Sequence, residues 1–273
     1  MTDLHWIVPV ARWAAIPATA KPSAGLDYID PMLRRRLSNL SRMALQAAAA
    51  CLPDHRVDAD AGAVAPDEGK HDGKHDAAMA GVRVVFASRH GELRRSTEIL
   101  RAISGGQPVS PTAFSLSVMN AMTGVFGIAR QDRNASSALS AGPETLGYAL
   151  LEGYAQYVSD PSTPVLVVYA DEPADPIFGE IQDEVEGGAL AVLISGTGSF
   201  RLDCRLLPTV APGIASAATA VSEARVDVVG DAGPNPGVAV CGTQSAAVRR
   251  ALAGGIASWR SAAGEWCWSG ADA

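Results

Sequence analysis

Two runs constrain this chain more than any other feature: VLVVYA at Val165 to Ala170, and ALAVLIS at Ala189 to Ser195. Both are almost wholly apolar and carry β-branched residues, which marks strands buried in the middle of a protein. Buried strands need layers to cover them, and the rest of the chain supplies helical patterns. Asp30-Pro31 opens a helix in which Leu33, Leu37, Leu40, Met43, Ala44 and Ala47 recur at helical spacing. Glu92 to Ile103 reads as a second helix. Thr112 to Arg130 reads as a longer apolar one, entered through Ser110-Pro111. Pro143 to Val158 follows, with Pro and Glu in its first turn, and Gln244 to Trp259 comes last. Val82 to Ala87 reads as another short buried strand, and His5 to Val10 as a short one. Ala135 to Ala141 reads as a small-residue strand or extended turn, and Phe200 to Leu207 as an alternating edge strand. Strands alternating with helices predict an α/β fold, a mixed sheet with helices packed on its faces.

The 273 residues suit a single domain spanning 1–273. Two stretches break the pattern. Residues 53–80 are rich in charge, Gly, Ala and Pro with no apolar period, and read as a flexible surface insertion. Residues 208–273 read as a weakly patterned C-terminal extension, Ala/Gly/Pro-rich as far as residue 240. No repeat emerges. A formal net charge of −7 argues against nucleic acid or an anionic membrane as partner. The apolar runs fall short of the roughly 20 residues that a membrane span needs. Cys51, Cys204, Cys241 and Cys267 are far apart with no C-x-x-C pair, so reduced thiols in a cytoplasm are expected and no zinc or redox motif. The first residues carry Asp3 and lack a basic segment, unlike a secretory signal.

Each motif that could carry chemistry has a plainer reading. HDGKHD, at His71 to Asp76, spaces two His at i, i+4, but Gly73 and the surrounding composition read as a solvated loop. SGTGSF, at Ser195 to Phe200, is followed by a strand-like run, which favours a hairpin turn over a phosphate cradle. Asp171, Glu172 and Asp175 offer carboxylates for acid–base work, but Pro173 and Pro176 favour a solvated turn. Ser88 and His90 stand at the C-terminal end of a strand, where open α/β sheets place active sites. Two residues apart on one strand end, they make a poor dyad, and a helix start is the plainer reading. Along 112–130, Phe114, Val118, Met122 and Val125 form one apolar stripe and Met119, Met122 and Phe126 an adjoining one, with Asn120 and Gly124 on the same segment.

In order, RRRLSNLSRMALQAAAACL, VRVVFASRHGEL, SPTAFSLSVMNAMTG, SSALSAGPETLGYALLEG, VLVVYADEP and GALAVLIS resemble the N-terminal half of a β-ketoacyl synthase over about residues 30–207. The resemblance implies a thiolase-like fold, half of a ketosynthase, in which SSALSAGPE is the nucleophile strand and elbow. Family synthases carry a cysteine at that elbow, which takes the acyl chain from a carrier protein. Here Gly142 falls at its position, and a shifted register offers Leu139 or Ser140. No cysteine lies between Cys51 and Cys204, and thioester exchange needs a thiolate or an activated hydroxyl. The five histidines all precede the elbow, and the family's second half, with two catalytic His and a Lys, finds no counterpart in the sequence pattern.

A ketosynthase-like chain without a nucleophile resembles the chain length factors, and more narrowly the short factors of aryl polyene-type pathways. That resemblance implies a non-catalytic, cofactor-free subunit, with no metal. Its partner would be an active β-ketoacyl synthase in a heterodimer, and acyl carrier protein would meet the complex. Phe114, Met119, Met122 and Phe126 are the expected acyl-tunnel residues. Two alternatives stand beside it: a self-sufficient acyltransferase or hydrolase using Ser140 or Ser88, and a purely structural partner of the synthase.

Overall fold

The computed structural model describes residues 3–20, 25–52, 81–208 and 237–272. The insertion expected at 53–80, with its HDGKHD motif, lies outside the described residues, as does most of 208–240. No helix of the described residues is long and apolar enough to cross a membrane.

The described strands form one nine-stranded mixed sheet. In chain order they are β1 (Leu4–Pro17), β2 (Arg83–Ala87), β3 (Ser136–Leu139), β4 (Val165–Asp171), β5 (Gly188–Ile194), β6 (Phe200–Pro208), β7 (Ala239–Val240), β8 (Ile256–Arg260) and β9 (Gly264–Asp272). Across the sheet they run β3-β2-β4-β5-β1-β6-β9-β8-β7. The helices are α1 (Pro31–Arg36), α2 (Asn39–Cys51), α3 (Leu93–Ser104), α4 (Pro111–Ser115), α5 (Ala121–Arg130), α6 (Thr145–Ser159) and α7 (Gln244–Leu252).

β1 holds the sheet together and is far longer than the pattern over His5 to Val10 suggests. Its Leu4–Val10 segment pairs with β6, and from Val10 to Pro17 it pairs with β5, with an irregularity at Val10/Arg12 where the partner changes. The SGTGSF link between β5 and β6 is therefore not a hairpin turn: both flanking strands pair with β1, and the link passes over it. A Cβ at Gly198 would stand 2.7 Å from the Ala11 nitrogen, so only glycine lets the link lie this close.

The pairing pattern repeats about β1 and β6, which are themselves antiparallel. β1–β5–β4–β2 run antiparallel, antiparallel, parallel, and β6–β9–β8–β7 do the same. A helix precedes the third strand in each unit: α6 before β4, and α7 before β8. The chain thus holds a second unit in the region expected to be an extension, and a structural repeat that the sequence conceals. β6 is also not an edge strand, because β1 and β9 flank it.

Two cores result. On one face, Leu146, Ala149 and Leu150 of α6 and Ala247, Val248 and Ala251 of α7 pack on Trp6, Val8, Val167, Val192, Trp259, Trp266 and Trp268. On the other face of the first unit, Leu40, Met43, Ala44 and Ala47 of α2 and Met122, Val125 and Phe126 of α5 cover Val84, Phe86, Leu166, Val168 and Ala191. β4 and β5 are buried along their whole length, as their composition predicts. Among the described residues, no helix covers the outer face of the second unit. Arg201, Asp203 and Arg205 alternate there with buried Leu202, Cys204 and Leu206, which suits a face turned to water.

Three helices differ from their expected extents, each for a local reason. The helix expected from Asp30-Pro31 breaks at Leu37, where the chain is extended; the Ser38 hydroxyl accepts the Ser41 N–H at 3.0 Å and starts α2 afresh. The helix expected over 112–130 is two. Ser115 and Ser117 hydroxyls donate to the carbonyls of Thr112 and Phe114, drawing the backbone out of helical pairing, and α5 begins only after Asn120. The helix expected to reach Trp259 stops at Leu252, because Gly254, at φ +85°, turns the chain into β8.

Candidate functional site

The elbow sits where the parallel strands β3, β2 and β4 end. β3 pairs with β2 through Ala87 and Leu139, and β2 with β4 through Ala87 and Tyr169, so Ser140, Ser88 and the end of β4 emerge side by side. After Leu139 the chain turns through Ser140-Ala141-Gly142 into a 3₁₀ turn (Gly142–Glu144) and then α6. Thr145 fixes this turn: its hydroxyl accepts the Ala141 N–H at 2.9 Å and donates to the Gly142 carbonyl at 2.7 Å. Gly142 is exposed, at φ +58°, and a Cβ there would meet nothing within 4 Å. The position has room for a side chain, but none is there. Leu139 is half-buried against the α6 core.

Neither serine has a histidine as its hydrogen-bond partner. Ser140 Oγ donates to the Arg89 carbonyl at 3.0 Å, a group that cannot take its proton. Ser88 is fully buried; its Oγ donates to Asp171 Oδ1 at 2.8 Å and accepts the Gly91 N–H at 2.8 Å. His90 turns away from both, its Nε2 lying 2.7 Å from Glu184 Oε1. Burial alone would raise Glu184; the Val185 N–H and the His90 ring outweigh it and hold the carboxyl below its ordinary value.

The acidic turn separates into three unrelated parts. Asp175 caps Ile177 and pairs with Arg101 at 3.1 Å; Glu172 accepts from Asn39 Nδ2 at 2.8 Å. Asp171, expected in a solvated turn, is completely buried. Its Oδ1 accepts the Ser88 hydroxyl and the His90 N–H (3.0 Å), and its Oδ2 the Arg89 N–H (2.7 Å). Burial pushes its carboxyl above the ordinary aspartate value, and those donors oppose the shift. A charged residue at the end of a run buried on both faces was the signal for this.

The four tunnel candidates divide. Met122 and Phe126 are buried in the α2–α5 core, and Met119 is half-buried at its margin. Met119 Sδ lies 3.4 Å from where a Gly91 Cβ would stand, so it touches the 88–91 turn. Phe114 is elsewhere, 64% exposed on α4. Val118 of the same stripe is exposed too, as are Ile128 and two large apolar residues of α3 that the sequence reading missed, Leu100 and Ile103. Leu100 and Ile103 sit at i, i+3 on α3, whose buried residue is Thr97, so this helix shows apolar side chains to solvent. Residues of the α1–α2 junction and α3 also line a cleft of about 390 Å³, whose walls include Arg36, Glu92, Arg95 and Glu98.

No His follows His90 and no Lys follows Lys74, so the second unit carries neither residue type. Among the described residues no cluster of His, Cys, Asp and Glu could hold a metal ion.

A comparison of the sequence with curated proteins gave no match. Among solved structures, the chain is similar to a chain of the ketosynthase (ApeO) in complex with its chain length factor (ApeC) from Xenorhabdus doucetiae. The TM-score is 0.62 at 19% identity, over 97% of this chain and 99% of that one. The ishigamide ketosynthase/chain length factor is similar over 73% of this chain and 67% of that chain, with a TM-score of 0.50 at 16% identity. Identities this low speak for the fold alone, and that fold is the thiolase-like one the sequence suggested. The family profile described as "Beta-ketoacyl synthase, N-terminal domain" matches residues 10–60 and 74–269, and the chain belongs to this family.

Proposed function

We propose that this chain is a non-catalytic subunit of the chain length factor type, pairing with an active β-ketoacyl synthase and helping to shape its acyl pocket. One observation supports the reading: Thr145 braces the turn after β3, and Gly142 stands there, at the position that the resemblance gives to the nucleophile. Ser140 spends its proton on a carbonyl, and the second unit brings no His or Lys. The decarboxylative condensation of carrier-bound units then belongs to the partner, and this subunit acts by shape. The charged walls of the cleft beside α3 suit no acyl chain, which agrees with a chain held in the partner.

Exposed Phe114, with Val118, Leu100 and Ile103, gives the reading its partner-facing surface, since apolar side chains of this size call for cover. Phe114 and Met119 would reach the tunnel, and buried Met122 and Phe126 would support them from behind. Each carbon the tunnel admits adds about 0.8 kcal/mol of burial, and a bulky floor stops the series by overlap. The burial of Met122 and Phe126 equally favours a purely structural partner, and product length separates the two readings.

The test is co-expression with a ketosynthase, then size-exclusion and mass of the complex, acyl loading of each subunit, and product analysis. The reading expects a heterodimer, acyl label on the partner alone, and longer products from Phe114→Ala or Met119→Ala. Acylation of Ser140 or Ser88 on the isolated chain, with turnover, overturns it. Unchanged products from all four tunnel variants leave the structural role.

A further inference from the structure

The completely buried Asp171 carboxylate serves no reaction proposed above, yet it gathers three donors beside the elbow. It receives the Ser88 hydroxyl and the N–H groups of Arg89 and His90 within 2.7–3.0 Å. These three residues and Gly91, whose φ is +57°, form the turn that leaves β2. The turn in turn touches three other segments. The Arg89 carbonyl takes the Ser140 hydroxyl of the elbow. Gly91 lies against Met119 in the α4–α5 link. The Arg89 side chain donates to the carbonyls of Gln182 and Asp183, and His90 pairs with Glu184.

From this convergence we propose that Asp171 is a positioning residue: by fixing the 88–91 turn, it sets where the elbow and Met119 stand, and so the shape this subunit offers to the acyl pocket. The inference rests on the function proposed above. A buried carboxylate suits such a post. It accepts several N–H and O–H donors at once, and charge-assisted bonds are shorter and stronger than neutral ones. A neutral isostere cannot repeat this. In Asp171→Asn one oxygen still serves Ser88 and His90, but the amide nitrogen faces the Arg89 N–H, donor against donor.

The experiment compares wild type, Asp171→Asn, Ser88→Ala and Asp175→Asn, each co-expressed with the ketosynthase. It reads heterodimer yield, melting temperature and product-length distribution. Asp175 is a nearby acid that touches other partners, Ile177 and Arg101, and serves as control. The expectation is an assembled Asp171→Asn complex whose single dominant product gives way to a spread of lengths, while Asp175→Asn keeps the wild-type distribution. Should Asp171→Asn fail to assemble, Ser88→Ala takes its place, since it removes one bond of the latch and keeps the charge; a smaller spread is expected. A wild-type distribution from an assembled Asp171→Asn complex overturns the proposal, as does one from Ser88→Ala where the first variant does not fold. If the wild-type subunit itself leaves the synthase's products unchanged, the function proposed above fails instead.

Discussion

Gly147 tests whether the second unit is packed as described. It lies in the first turn of α6 and is buried, and its N–H, which has no helical partner there, is accepted by Gln244 Oε1 at 2.9 Å. A Cβ on Gly147 would stand 2.6–2.7 Å from two ring carbons of Trp266. Carbon–carbon contact is comfortable near 3.5–4.0 Å, so the indole would have to retreat by about 1 Å. It has nowhere to go. Trp268 is stacked on it at 5.8 Å between centroids, while Trp6 and Tyr148 meet it edge-on at 6.2 and 5.3 Å. Overpacking of this kind costs about 1–3 kcal/mol, and alanine's better helix propensity returns less than about 1 kcal/mol. Gly147→Ala should therefore lose about 1–2 kcal/mol net, which for a chain of this size lowers the melting temperature by roughly 2–8 °C. Thermal unfolding gives the size of the loss, and near-ultraviolet circular dichroism should report a disturbed tryptophan cluster. A variant as stable as wild type with an unchanged tryptophan spectrum would refute the placement of Trp266 against α6.

Two further outcomes follow from the site. Gly142→Cys should fold with a loss of about 1–2 kcal/mol, the cost of a side chain at positive φ in open space, and the purified chain should still show no condensing turnover; malonyl decarboxylation by that variant alone would contradict the reading of the second unit. Glu184, held below the ordinary value of 4.5, stabilises the fold above that pH and loses the contribution as pH falls through its lowered value. Glu184→Gln should therefore flatten the acid limb of a melting-temperature profile between pH 7 and 3, and a limb as steep as wild type would show that the pair with His90 gives no acid-sensitive support.

The sequence carried the first unit well because its signals are local. VLVVYA and ALAVLIS are buried on both faces, and no partner strand need be known to see that. The turn after β3 was legible in outline because Gly142-Pro143 and Glu144 mark a helix entry locally. What escaped depends on pairing between distant segments. The C-terminal part of β1 carries Arg12 and Trp13 and lacks a clean alternation; it is a strand because β5 lies beside it. GEWCWSGAD alternates correctly, but at the end of a Gly- and Ala-rich stretch its role emerges only once β6 is in place. The break at 116–120 escaped because apolar residues continue through it at helical spacing, while the serine hydroxyls that end the helix look innocuous in a sequence. Asp171 escaped for the opposite reason. Its prolines and acidic neighbours describe the turn that follows and mask the one hint, its place at the end of a buried run; the position of β2 supplies the partners that draw the side chain inward.

The second unit also has a part in packing. α6 must follow the elbow, and its buried side needs a wall. β4 and β2 supply part of it; the remainder is Trp6, Trp266 and α7, which exist only if β6, β9 and β8 extend the sheet beyond β1. A chain that discarded those strands would leave the Trp6–Val8–Val10 face and one flank of α6 in water, an exposed apolar surface that a folded subunit rarely tolerates. Strands are therefore retained where α6 demands cover. Histidines and lysines contribute nothing to that cover, and their absence leaves the packing of this core intact. What the second unit supplies on this face is cover for α6, and its strands and tryptophans suffice for that.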